Sequence, residues 1–455
     1  MAYNFLPCDR NQAYLLPPSL TDWLSEDHLA WFVLDAVQQI DLQPFYKRYR
    51  TDGIGNSAFN PSMMVGLLMY AYCTGERSSR RIERFCQTDV AYKIIAANQS
   101  PDHTTISRFR KDNESNLKDL FLEVLRLCVK AGLVKLGKVA LDGTKIKANA
   151  SLASNRTLEH LEREVEKMLA EADAKDAEED ELYGKDKRGD ELPEDLRDRK
   201  SRLERLKACK ERLEQEKAEA RQAQQNKVNK REEKEKQTGK KPRGRKPKSP
   251  DDVENKDAKA NVTDPQSRIM KTRKGYEQAY NAQAVVTEDQ VILAEDVTQQ
   301  ENDRKQLHPM IEQTESNRQQ VKIDEEIGVA LADAGYCSED NFTKIPAGDV
   351  ELLVATQKDW KQRKAMQDQP PLEGPPPENL SATELMELKL RTERGRELYK
   401  LRAQTVEPVF GQIKDARGID KFMRRGIEAC RSEWSLICAT HNLLKLWRSG
   451  KACWS

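Results

Sequence analysis

A long run of charge interrupts this chain and limits what the rest can do. Residues 155–250 are mostly charged, with only a thin apolar seam. Leu158, Leu161, Val165, Met168 and Ala172 step by 3, 4, 3 and 4 residues, the spacing of a coiled-coil edge. A break follows, with Gly184, Gly189 and Pro193, and Leu196, Leu203, Leu206 and Leu213 then resume heptad spacing. The pattern predicts two helices of about 28 residues joined by a turn, an antiparallel hairpin roughly 42 Å long at 1.5 Å per residue. Such a hairpin stands outside the main fold. It also explains why the whole chain is 34% charged and only 37% hydrophobic, which is poor for one compact globule.

The two flanks differ from each other. The first reads as helices. Leu20, Trp23, Leu24, Trp31, Leu34 and Val37 recur at roughly helical spacing over residues 20–40. Asn60-Pro61 is a start signal, because Asn caps and Pro fits the first helical position. Further helices are expected from Ser78 or Ser79, after the cap Asp102, and through NLKDLFLEVLRLCVKAG, giving a helical domain with its own core. The second flank is α/β. KVALDGTKIKA (138–148) is strand-like; GYEQAYNAQAVVT and QVILAEDVTQQ form a hairpin turning at Glu288-Asp289. Residues 304–319 predict a polar helix. GVALADAGY and VELLVAT read as buried strands, and helices return from about Ala382 after a Pro-rich loop.

Several function classes are excluded early. Lys plus Arg is 77 and Asp plus Glu 76, a net charge of +1, so only local clusters can name a charged partner. The longest strongly apolar run, MMVGLLMYAYC, is too short to span a bilayer. The N-terminus lacks a basic start followed by an apolar core, so no signal peptide is expected. The nine Cys are scattered with no CxxC pair, which fits a reducing cytoplasm better than a disulfide or zinc framework. The five His show no metal-ligand spacing. No Gly-rich phosphate loop follows a strand, so no small-molecule cofactor is expected.

Three acids stand out by position: Asp142 at the end of VALD, Asp333 at the end of VALAD, and Glu407 in a late helical region. Strand-end carboxylates on neighbouring strands can converge at a sheet edge, and a helix can deliver a third. Held together they repel and raise one another's pKa unless a cation lies between them. Oxygen ligands suit Mg²⁺ or Mn²⁺, and two such ions about 3.5–4 Å apart can clamp a phosphodiester. An Asp after a strand is also commonly a plain turn residue or helix cap.

LDGTKIKANAS, ALADAGYCSEDN and the stretch Tyr399-x-x-Arg402 … Glu407 … Lys414 resemble the three acidic motifs of bacterial insertion-sequence DDE transposases. The helical segment from FNPSMMVGLLMYAYC to DHTTISRFRK is similar to their N-terminal domain. The resemblance implies an α/β fold in which an RNase H-like mixed sheet is flanked by helices, with an N-terminal all-α domain and the inserted antiparallel helical hairpin. The division is then 1–135, a helical DNA-binding or dimerisation domain; 136–154, the first catalytic strand; 155–250, the charged hairpin with a basic arm; and 251–455, the rest of the catalytic domain and the C-terminal helices.

The resemblance also implies chemistry: metal-dependent hydrolysis at an element's end, then strand transfer by the freed 3′-OH. Asp142, Asp333 and Glu407 would be the catalytic metal ligands, holding Mg²⁺ or Mn²⁺, as two ions. Tyr399, Arg402 and Lys414 match the DNA-binding residues around the acidic helix. Arg402 and Glu407 are separated by four residues where the usual signature has three, which turns Arg402 by about 100° around the axis. Pro408 requires that the helix either kink or begin there. The expected partners are double-stranded DNA, as element ends and target, and further copies of the chain, as a homodimer or higher on DNA. The expected location is cytoplasmic, in a bacterium and nucleoid-associated.

Two basic features add to this. Arg108, Arg110 and Lys111 lie on a short polar helix suited to phosphates and base edges. KKPRGRKPK is the clearest basic cluster; residues 231–248 hold nine Lys/Arg against three Glu. Its Arg243, Arg245 and Lys246, flanked by Pro, resemble a minor-groove AT-hook on an extended arm. Asp264, before a Pro, reads as a turn former. Two other readings stay open: a DNA-binding scaffold that keeps the fold without chemistry, and a structural coiled-coil protein.

Overall fold

The computed structural model describes residues 19–50, 57–168, 194–238, 246–247, 249, 258–272, 274–344, 350–357 and 380–452. The first flank holds α1 (Leu29–Gln38), α2 (Gln43–Tyr46), α3 (Pro61–Cys73), α4 (Ser79–Thr88), α5 (Val90–Ile95), α6 (His103–Asp112) and α7 (Glu114–Lys130). Then come β1 (Lys138–Lys147), β2 (Asn155–Thr157), a helix α8 over 158–168, and α9 (Glu194–Thr238). The second flank holds β3 (Lys259–Asn261), β4 (Arg268–Thr272), β5 (Gly275–Thr287), β6 (Ile292–Thr298), α10 (Leu307–Gln320), β7 (Val329–Ala332), α11 (Glu339–Thr343) and β8 (Glu351–Val354). It ends in α12 (Ala382–Arg391), α13 (Glu393–Gly411) and α14 (Ile427–Ser449). Among the described residues no helix is long and apolar enough to cross a membrane.

The helix starts follow the capping signals. Asn60 Oδ1 accepts from the Ser62 N–H at 2.8 Å, with Pro61 in the first turn. Asp102 Oδ1 takes the Thr105 N–H at 2.7 Å. The helix expected over 20–40 is instead a 3₁₀ turn, Leu20–Trp23, followed by α1, because His28 Nδ1 accepts from the Ala30 N–H and caps a fresh start.

The sheet runs β6-β5-β1-β7-β8, with β4 lying end to end with β6 along the outer edge of β5. β1 is antiparallel to β5 and parallel to β7, and β7 is parallel to β8. This is the RNase H-like mixed sheet flanked by helices that the motifs implied. β5 is buried without interruption from Gln278 to Thr287, so both its faces are covered. α14 is tied across it: Trp434 Nε1 donates to the Gln283 carbonyl at 3.1 Å, and the Asn442 amide bonds both N–H and C=O of Ile292 at 2.8 Å.

The helical flank does not keep a core to itself, as its segments alone suggested. α3 is buried on all sides from Met64 to Cys73, and α3 and α7 both pack on α14. One continuous apolar core runs from Ala30 through the sheet to Leu446. The division at residue 135 is therefore a boundary in sequence, crossed by packing.

The hairpin keeps its seam but not its predicted lengths. Leu161 and Val165 pack against Leu206, Cys209 and Leu213, with Leu158, Met168 and Leu203 partly buried beside them. α9 is 45 residues long, about 68 Å, and continues well past the last seam leucine. Residues 231–238, expected in an extended arm, are the end of this helix. The break near Gly184 and the Pro-rich loop fall outside the described residues. At the root, β2 pairs with β3, so the chain leaves and returns at one place. Arg212 of α9 fastens this root by donating to the carbonyls of Lys259, Pro265 and Ser267.

Because α7 buries its apolar side against α14, residues 1–135 expressed alone are expected to melt without a cooperative transition. Circular dichroism melts of fragment and full chain check this; a sharp transition in the fragment would show an independent core.

Candidate active site

Two acids meet because their strands are parallel neighbours. Leu141 of β1 is in register with Ala332 of β7, so Asp142 and Asp333 are the next residues on adjacent strands. Asp333 ends β7 and turns there, its Oδ1 accepting the Gly335 N–H at 2.8 Å. A third acid, Asp303, enters from the loop between β6 and α10. Its Oδ1 accepts from Asn281 Nδ2 at 2.6 Å and from Gln283 Nε2 at 2.7 Å, and Lys145 Nζ lies 3.8 Å away.

The glycines beside two of these acids leave room for the acidic and amide side chains that crowd them, so a larger residue would displace those side chains. A Cβ on Gly143 would lie 2.2 Å from Gln283 Nε2 and 2.5 Å from Asp303 Oδ1. A Cβ on Gly335 would lie 2.8 Å from Asp333 Oδ1 and 3.1 Å from Asp303 Oδ2. The Tyr336 hydroxyl donates to Gln283 Oε1 from full burial. Burial, and then the negative charge of Asp303, Asp142 and Asp333, holds that phenol protonated.

Glu407 joins through an arginine. Arg402, 7% exposed, donates to Asp142 Oδ2 at 2.7 Å and to Glu407 Oε1 at 3.2 Å. The extra residue between Arg402 and Glu407 thus still leaves one guanidinium bridging the acidic helix to β1. Burial pushes the Asp142 carboxyl up to about 7, with Asp333 and Asp303 adding to the rise and Arg402 opposing it.

Among the described residues no group of three or more His, Cys, Asp or Glu side chains stands close enough together to hold a metal ion as placed. Arg402 fills the space between Asp142 and Glu407. The donor set nevertheless fits a hard divalent cation. It consists of carboxylate oxygens without imidazole or thiol, and burial holds Asp142 up even with the Arg402 guanidinium beside it.

The helix that carries Glu407 neither begins at Pro408 nor ends there; α13 runs through it. Proline has no N–H, so the Gln404 carbonyl four residues back loses its helical donor. Gln290, in the β5–β6 turn, supplies one: its Nε2 donates to Gln404 O at 3.1 Å. Gln290 Oε1 accepts from Gln412 Nε2 and Lys445 Nζ, both at 2.9 Å, and its carbonyl accepts from His441 Nε2 at 3.0 Å. Burial pushes His441 down to about 3, so it donates as a neutral ring. Gln290 holds φ at +63°, an uncommon conformation for a side chain of this size that its surroundings must enforce. Beyond Gly411 the helix widens into a π turn, Gln412–Ala416, and Lys414 Nζ reaches Thr144 Oγ1 at 2.5 Å and Lys145 O at 2.7 Å.

The other expected residues fare differently. Arg108 and Lys111 are exposed on α6. Arg110 is corrected: it is 7% exposed and donates inward to Tyr72 Oη, the Arg77 carbonyl and Ser79 Oγ, so its donors do not face a duplex. Arg402 and Lys414 likewise direct their charged heads at protein groups rather than outward. Tyr399 is half-buried against the core. Lys246 is exposed; Arg243 and Arg245 lie outside the described residues. Asp264 is buried, accepting from the Tyr280 hydroxyl at 2.9 Å and the Gly426 N–H at 3.3 Å, a structural acid. Sequence reasoning missed Asp303, Asn281, Gln283 and Gln290. A signal existed for two of them: Asn281 and Gln283 are an i, i+2 amide pair inside an apolar strand, and buried amides need partners.

Two outcomes follow from this geometry. Gln290→Ala is expected to speed hydrogen exchange at the amides of 405–407 and 409–412 roughly fivefold, the ~1 kcal/mol of one hydrogen bond, and Pro408→Ala, which restores an N–H, to reverse part of that gain. Asp142 supplies a pH test. Its folded carboxyl at about 7 lies above its ordinary 3.8, so between these values the native chain holds more protons than the unfolded one. Stability in EDTA should therefore fall as pH rises through that window, with the full deficit above it. Thermal melts at several pH values should show a flatter slope in Asp142→Asn.

Two models of known families match parts of the chain. Residues 252–443 match the model described as Transposase DDE domain, a span that contains Asp303, Asp333 and Glu407. Residues 18–112 match Transposase domain (DUF772), covering α1 to α6. Asp142, on β1, lies between the two spans. Searches of the curated proteins and of the solved structures gave no significant match. With two transposase domains matched in order along one chain and an RNase H-like sheet between their acids, the protein belongs to the DDE transposases, metal-dependent nucleases and strand transferases.

Proposed function

We propose that the chain binds the terminal inverted repeats of its own element, hydrolyses a phosphodiester at each end and joins the freed end to target DNA. The observation that carries this is the meeting of Asp142 and Asp333 on adjacent parallel strands, with Arg402 linking Asp142 to Glu407. Asp142, Asp333 and Glu407 would hold Mg²⁺ or Mn²⁺, as two ions. Bound there, such ions lower the pKa of water and neutralise charge on the phosphodiester oxygens.

In the first step water adds to phosphorus and the bond from phosphorus to the 3′ oxygen breaks, leaving a 3′-OH on the element and a 5′-phosphate on the flank. In the second, that hydroxyl attacks a target phosphodiester and displaces its 3′ oxygen. Arg402 acts as a positioning residue, keeping the Asp142 and Glu407 carboxylates on one side of its guanidinium. Lys414 fixes the acidic helix to β1 next to Asp142. Arg108 and Lys111 contact DNA phosphates from α6, Arg243, Arg245 and Lys246 contribute an arm, and two or more copies pair the two ends.

The test uses purified protein, Mg²⁺ and labelled duplex carrying the inverted repeats that flank the gene. Nicking at the ends is expected, and Asp142→Asn, Asp333→Asn and Glu407→Gln should each drop it to the level of the EDTA control while duplex binding persists. Binding without nicking in the unaltered protein would instead identify a scaffold without chemistry.

A further inference from the structure

At the root of the charged hairpin lies a cavity of about 290 Å³, open to solvent, whose walls include Arg156, Arg202 and Arg205 against a single acid, Glu164. The fold brings them together from three elements. Arg156 is on β2, Glu164 on α8, and Arg202 and Arg205 lie one turn apart on α9, so both face the same side. Ser154 and Thr263, from either side of the β2–β3 clasp, add hydroxyls.

The charges in this cavity do not cancel. Glu164 is shared between Arg202 and His160, whose Nε2 is 3.4 Å from Oε2. Arg156 is held by the carbonyls of Ala153 and Asn155 at 2.7 and 3.0 Å. Arg205 has no partner among the described residues, and its buried Nε has no acceptor. Buried donors in proteins are normally paired, and a fork of guanidinium donors matches a tetrahedral oxyanion.

We propose that this pocket binds a phosphate group, and that in the working protein it is a backbone phosphate of duplex DNA. The source of the phosphate rests on the transposase reading; the preference for an oxyanion does not. Asn155 Nδ2 donates to Gln278 Oε1 at 3.2 Å, which ties the pocket to β5 five residues before Gln283. That is roughly 17 Å along the strand, about five base steps of a duplex at 3.4 Å each. The hairpin root is thereby a second grip on the DNA that enters the acidic site.

The experiment has two arms, both in EDTA so that cleavage plays no part. Random-sequence duplex is bound over a range of salt, and inorganic phosphate is titrated while the melting temperature is followed. Arg205→Met keeps the apolar stem and removes the charge; it should lower the slope of log K against log salt by about 0.9, one phosphate contact. It should also abolish stabilisation by inorganic phosphate, while Arg205→Lys keeps most of both effects. Loss of the phosphate effect with an unchanged salt slope would overturn the DNA assignment in favour of a free anion. No change in either arm would overturn the pocket. An Asp142→Asn protein that still nicks would overturn the catalytic reading and leave both arms readable.

Discussion

The site is organised around the cost of placing negative charges together away from water. Asp142 and Asp333 are adjacent because parallel pairing leaves no other place for the residues that follow Leu141 and Ala332. Three kinds of group make that tolerable. The amides of Asn281 and Gln283 fix one oxygen of Asp303, the Gly335 N–H fixes one of Asp333, and the Arg402 guanidinium supplies positive charge to Asp142. Even so burial, with Asp333 and Asp303 adding to it, pushes Asp142 up to about 7 against the pull of Arg402. Fold and chemistry are linked through that imbalance.

The same strand supports both sides of this balance. β5 is an interior strand of the sheet, and its long buried run would suit apolar side chains alone. Asn281 and Gln283 break the run on one face to meet Asp303, and the Gln283 carbonyl receives the indole of Trp434. The residues that orient the acids are therefore also those on which the final helix packs.

Strand and helix identities were legible because periodicity and caps are local. Asn60-Pro61, Asp102 and the VALAD strand end lie where they were expected, whereas Asp142 sits inside β1 rather than at its end, because pairing with β5 carries the strand on to Lys147. The shared core was not legible, because helix amphipathicity shows that a face is buried but not against what; α7 and α14 are separated by the whole sheet in sequence. The length of α9 was missed because the heptads end at Leu213 while a run of good helix formers continues. Arg110 could not be distinguished from Arg108 by residue type, since only packing decides which arginine turns inward. Asp303 escaped because it sits in a loop with no strand or motif around it, and Gln290 because its role depends on a carbonyl orphaned by a proline more than a hundred positions away.

The clasp of β2 and β3 has a consequence for how such a chain can change over generations. β1 and β5 are sheet neighbours although most of the polypeptide between them is the hairpin. With both ends of that excursion stitched at one point, lengthening or trimming it alters only a weakly length-dependent closure entropy. The excursion can thus be exchanged for another of different size or charge while the strand register beneath stays put, at little risk to the acids that the sheet carries.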